Sequence, residues 1–194
     1  MLDPGLRELL DLVIRWVHVV AAILWIGNSM LWNWIDRNLE SGSESGSEAG
    51  AIGHIWLLHS GAFYYMEKTL LAGRGLPVPL HWFKWQAYTT WITGALLLVV
   101  VYYSTGGALL LGPERVVSGT TAILMGAALI LVAWPLYNLL WQSPLIRSRA
   151  VSGVLGIALI LGLAFALTRI FSGRAAFLHV GAVLGTIMAG NVAN

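Results

Sequence analysis

The chain reads as an all-α, polytopic integral membrane bundle of about five transmembrane helices plus one interfacial helix. Three observations predict it. Of 194 residues, 58% are hydrophobic and only 10% charged, against about 25% charged in a soluble domain. So few charges cannot cover a water-facing surface, and lipid must solvate most of the protein. The mean hydropathy is +0.76, and the apolar residues gather into runs of about 20, the length that crosses a bilayer. Ten tryptophans and six tyrosines accompany them, several at run ends, where interfacial anchors belong.

The first run is Leu9–Trp34. Pro4 and Gly5 precede it, Asp36–Arg37 close it, and only Asp11, Arg15, His18 and Asn28 interrupt it. Ser41–Gly50, built of Ser, Gly, Glu and Ala, reads as a flexible solvated loop. The following stretch, about 53–72, is apolar but short and mixed: His54, His59, Glu67 and Lys68 alternate with Trp56, Phe63, Tyr64 and Tyr65. It predicts an interfacial or partly inserted helix, ended by Gly73–Gly75, Pro77 and Pro79. The second span is His81–Tyr103, polar and aromatic in its first half and purely apolar over Ala95–Val101. The third is Val116–Trp141, with Pro135 as a kink point. The fourth is Ala150–Ile170 and the fifth Ala175–Asn194. No internal repeat appears, so residues 1–194 are expected to form a single membrane domain.

A net charge of +2 is too small to suggest nucleic acid as a partner. The absence of cysteine excludes disulfides, thiolate metal sites, iron–sulfur clusters and a covalent c-type haem. The acidic start (Asp3, Glu8, Asp11) and the long first run argue against a cleavable signal peptide. One set of loops collects Arg37, Lys68, Arg74, Lys84, Arg147 and Arg149. The opposite set has Arg7, Arg115 and Arg174, with Arg15 and Arg169 near span ends. The richer side is assigned to the cytoplasm, which puts the N-terminus outside.

The five histidines sort by expected depth. His18 and His179 fall toward the outer side of the first and fifth spans. Two imidazoles at similar depth on different helices suit the axial positions of a haem b. Small residues (Ala176, Val183, Thr186, Gly190) share the face of His179, while Ala22, Trp25 and Ser29 share that of His18. An equally open reading has each His hydrogen-bonding a neighbouring helix, the small residues marking close packing; another metal or a proton path is a third. His54, His59 and His81 gather on the cytoplasmic side. On a helix His54 and His59 lie about 140° apart, so a three-His metal site needs His81 across a turn. A quinone-like pocket lining, or interfacial histidines without chemistry, are the alternatives. Lys84, Gln86, Tyr88, Thr89 and Thr90 either line a cavity or join helices. Arg169 and Arg174 flank Ser172–Gly173, placed to hold an anionic group or to snorkel.

Four stretches carry a family resemblance: Arg15–Trp34 (RWVHVVAAILWIGNSMLWNW), His59–Lys68 (HSGAFYYMEK), His81–Trp91 (HWFKWQAYTTW) and Ser172–Asn191 (SGRAAFLHVGAVLGTIMAGN). Together they resemble, in register over nearly the whole chain, the membrane domain of the bacterial cytochrome-c-type urate oxidases (the PuuD-type urate hydroxylases). A looser likeness, His followed by Trp-Ile-Gly in a first span, extends to copper-resistance-D-like and membrane protoporphyrinogen-oxidase-like proteins. The resemblance implies a multi-pass domain of the bacterial inner membrane, N-terminus periplasmic, that oxidises urate and passes electrons to a cytochrome c.

Residue by residue, the resemblance implies catalytic roles for His59, His81 and Lys84. It implies a cofactor site at His18, His179 and Arg174, the two histidines holding the iron of a non-covalent haem b. Where the family has a His and a Glu, this sequence has Tyr65 and Gln86. The family's chain continues into further helices and a cytochrome c, whereas this one ends at Asn194, so any cytochrome c is expected to be a separate protein. Two functions follow as expectations. One is a redox domain with these sites, a urate-oxidase-like oxidoreductase. The other is a non-catalytic accessory subunit of a larger respiratory or photosynthetic membrane complex, its partners being lipid and other membrane subunits. Five spans without a repeat and few membrane-depth carboxylates offer a transporter little to work with.

Overall fold

A computed structural model of the protein describes residues 3–41, 50–70, 75, 78–81, 83–112, 117–143 and 148–192. Five helices and one hairpin account for most of them: α1 (Pro4–Arg37), β1 (Ala51–His59), β2 (Ala62–Thr69), α2 (Trp85–Leu97, continued by a wide π turn over Leu98–Tyr103), α3 (Gly119–Gln142), α4 (Arg149–Thr168) and α5 (Gly173–Val192). Among the described residues five helices are long and apolar enough to cross a membrane. The protein is a polytopic membrane bundle, as its hydropathy requires.

Local chemistry sets the helix ends. Asp3 caps α1 by accepting from Leu6 N at 3.0 Å, and Pro4 occupies the first helical position, where its missing N–H costs nothing. Asn38 closes the other end, its Nδ2 donating to Trp34 O at 2.7 Å. Ser118 and Ser148 cap α3 and α4, each accepting at 3.1 Å from the backbone N–H three residues on, Thr121 and Val151. Pro135 lies inside α3.

The chain forms two compact units, Met1–Ala22 with Lys84–Asn194 and Ile23–Phe83. In the first, α5 packs on α2, α3 and α4. A third of its apolar window is buried, against 6% for α1 and α4, which makes α5 the central helix. Its buried face (Ala175, Ala176, His179, Val180, Val183, Ala189) meets an α3 face of Ala122, Gly126 and Ala133; small residues on both sides let the backbones approach. Leu110 is fully buried beneath the start of α5, where Ser172 N donates to its carbonyl at 2.7 Å.

The second unit overturns one expectation. Residues 51–69 form an antiparallel β-hairpin, not an interfacial helix. Ser60 (φ 54°) and Gly61 (φ 77°) make a two-residue left-handed turn of the kind that joins twisted strands. The alternation of aromatic and branched residues then takes a period of two: Trp56 pairs with Tyr65 and Leu58 with Phe63. Residues 71–72 of that predicted helix, nearly all of the expected loop 41–50, and Arg74, Arg115 and Arg147 lie outside the described residues. Glu40 and His54 exchange backbone hydrogen bonds at 2.8 and 3.1 Å, and Lys68 Nζ meets Asp36 Oδ1 at 2.7 Å, so the root of the hairpin is fastened to the end of α1.

Candidate functional site

His18 projects from α1 onto α2. Its Nδ1 lies 3.0 Å from Thr90 O and 3.0 Å from Thr93 Oγ1. A carbonyl only accepts, so Nδ1 carries the hydrogen. Thr93 directs its own hydroxyl hydrogen to Thr89 O at 2.6 Å, leaving its oxygen to accept from the imidazole. The ring edge rests on Gly94, where a Cβ would stand 3.1 Å from His18 Cε1. Nε2 keeps its lone pair and has no hydrogen-bond partner among the described residues.

His179 is fully buried. Its Nδ1–H donates to Ala175 O, one turn earlier on α5, at 2.7 Å. Its Nε2 accepts from the Tyr103 hydroxyl at 3.1 Å. Phe171 lies flat against the ring, centroids 4.5 Å apart and planes 8° apart. Gly126 of α3 fills the remaining side, leaving no room for a side chain. Both imidazoles therefore have the tautomer that leaves Nε2 basic. Tyr103 and Gly126 were not legible as its partners: the wide turn that carries Tyr103 leaves no signature in an apolar run.

A haem held between His18 and His179 needs both Nε2 atoms about 4 Å apart across one iron, at metal–nitrogen distances of about 2 Å. The packing does not provide this. His18 meets α2 at Thr90–Gly94, whereas His179 meets its continuation at Tyr103. Nine residues separate Gly94 from Tyr103, roughly 13 Å at 1.5 Å per residue. The expected common depth fails because α1 has 34 residues, far more than a span requires, so helix packing and not distance from its start sets the level of His18. In this arrangement the pair does not fit a shared haem. The small residues around His179 serve helix packing, the alternative reading. Arg174 is exposed at the start of α5, without an ion pair among the described residues.

The other three histidines are also redistributed. His54 and His59 fall on opposite faces of β1. His54 is buried, 4.0 Å from Glu40 Oε2, and stacks beside Tyr65 at 5.5 Å. His59 is exposed at the hairpin tip, paired with Ala62, and His81 is exposed before α2. No hydrogen bond joins His59 to His81, and no trio of His, Cys, Asp or Glu could hold a metal among the described residues. Lys84 precedes α2, its Nζ 5.9 Å from the Trp85 ring. Gln86 buries its Oε1 without a hydrogen-bond partner among the described residues.

At the start of α2, Trp85, Tyr88 and Trp91 line a cavity, whereas Lys84, Gln86, Thr89 and Thr90 do not. About 450 Å³ of space lies between α2, α3 and α5, walled by Trp85, Tyr88, Trp91, Trp134, Pro135 and Thr186 among others. Trp91 Nε1 donates to Thr186 Oγ1 at 2.8 Å, and Trp134 Nε1 to Asn191 Oδ1 at 3.3 Å. These bonds tie the HWFKWQAYTTW stretch and α3 to the last turns of α5.

Fold and site together define a polytopic helical membrane protein with two tautomer-set imidazoles and an aromatic cavity among its spans. The profile of the urate oxidase N-terminal family matches residues 4–194, and the chain belongs to that family. Neither the curated proteins nor the solved structures compared with it contain a match.

Proposed function

We propose that the chain is a membrane-embedded oxidoreductase domain of the urate oxidase type, acting on a purine-class anion at the end of the bundle where α2 begins. It would sit in the bacterial inner membrane with its N-terminus outside and give electrons to a cytochrome c. The observation that supports this best is the family match over residues 4–194.

In this reading water supplies the oxygen added to the substrate, an electron pair leaves to the acceptor, and protons leave to a base. Lys84 offers the positive charge that an anionic ring needs beside a lipid phase. His59 and His81, both exposed, are the candidate bases that remain. The test is anaerobic incubation of the purified protein with urate and ferricytochrome c, following urate loss and haem reduction together. Urate-dependent reduction, with a raised KM in Lys84→Gln, is expected. No urate loss with any acceptor, in a protein that migrates natively within a larger assembly, would replace this reading with the accessory-subunit one.

A further inference from the structure

We infer that the cavity between α2, α3 and α5 is a binding site for a lipid-soluble quinone-class ring. Its walls are indole, phenol and proline rings spaced by aliphatic side chains, and its volume of about 450 Å³ lies within the range of small-molecule sites, about 300–1,000 Å³. Charge decides against a water-soluble anion in this space. Among the described residues no Lys, Arg, Asp or Glu lines it, and two of its three indole N–H groups are already committed, Trp91 to Thr186 and Trp134 to Asn191. An ion placed there would be desolvated without a partner.

An uncharged flat ring has no such penalty and gains stacking surface on tryptophan. Two donors remain for it, the Trp85 indole N–H and the Tyr88 hydroxyl. Tyr88 has no hydrogen-bond partner for its hydroxyl among the described residues, and it can donate to a ring carbonyl. A saturated acyl chain would use neither the flat walls nor that hydroxyl. The route of entry fits as well: Trp85, Ile92 and Leu131 at the rim are 67%, 47% and 71% exposed on helices apolar enough to span a bilayer, so the opening faces lipid. Binding of such a ring does not depend on urate turnover.

The test is photolabelling of the full chain in lipid nanodiscs with an azido-quinone, mapped by mass spectrometry. Labels are expected on peptides containing residues 85–92, 130–135 and 186–190, displaced by excess decyl-ubiquinone and not by excess phospholipid. Tyr88→Phe, nearly isosteric, should weaken competition about three- to tenfold, the worth of one hydrogen bond. Labelling that excess quinone does not displace, labelling spread over α1 and α4, or equal displacement by phospholipid would each overturn the assignment. An unchanged Tyr88→Phe would overturn the donor role and with it the choice of a quinone over an acyl chain.

Discussion

Gly126 is among the tightest points of the bundle, and adding one methyl there tests the description of the His179 environment. A Cβ at this position would stand 2.7 Å from Tyr103 Oη and 2.9 Å from His179 Cδ2, and nearer still to Nε2. The ring cannot retreat freely, because Phe171 lies against it and its Nδ1 is bound to Ala175 O. Gly126→Ala therefore forces strain of about 1–3 kcal/mol for an overfilled core. It also pulls Tyr103 from Nε2, leaving buried polar atoms unpaired at a further cost of about 1–3 kcal/mol. Alanine's better helix propensity returns about 1 kcal/mol, so the net loss is about 1–5 kcal/mol.

Gly185→Ala is the matched control. It lies in the apolar run of α5, but nothing lies within 4 Å of its added methyl, and it keeps only the propensity gain. Thermal unfolding in one detergent, followed by tryptophan fluorescence, should put Gly126→Ala several degrees below wild type, at about 2–4 °C per kcal/mol for a chain of this size. Gly185→Ala should melt at or above wild type. Equal stability of the two variants would refute the packing described around His179. Tyr103→Phe should cost much less in the Gly126→Ala background than alone, since the bond it removes is already broken; strict additivity would refute the coupling.

Three further outcomes follow. In ¹⁵N-histidine NMR the neutral rings of His18 and His179 should carry hydrogen on Nδ1; an Nε2–H signal for either would contradict the carbonyl contacts at Thr90 and Ala175. Trp91→Phe and Thr186→Val should each destabilise by about 1 kcal/mol, and the double variant by little more than either, because one bond between α2 and α5 is lost in all three; a summed loss would show that the two side chains act independently. Gly61→Val puts a branched residue at φ 77°, at a cost of about 1–2 kcal/mol, and should speed amide exchange across residues 51–69 while α3 and α5 are unchanged. Equal rates in the hairpin would mean that Gly61 does not set the turn.

Composition and hydropathy determined the membrane bundle and placed the spans to within about five residues, because lipid solvation acts on each segment separately and is written along the chain. The cavity wall at the start of α2 was legible only in part, since Tyr88 lines it and Lys84, Gln86, Thr89 and Thr90 do not. The stretch 51–69 was misread because its apolar content was weighed over its alternation and over the turn residues Ser60–Gly61. The histidines depended on tertiary structure altogether. Depth counted from the ends of apolar runs put His18 level with His179, whereas packing set His18 beside Thr90 and His179 beside Tyr103, at different levels of α2 and its continuation. Which lone pair is free, which glycine leaves room for a ring, and which helices enclose a cavity depend on the rotation and shift of one helix against another. Sequence spacing within a single helix carries neither.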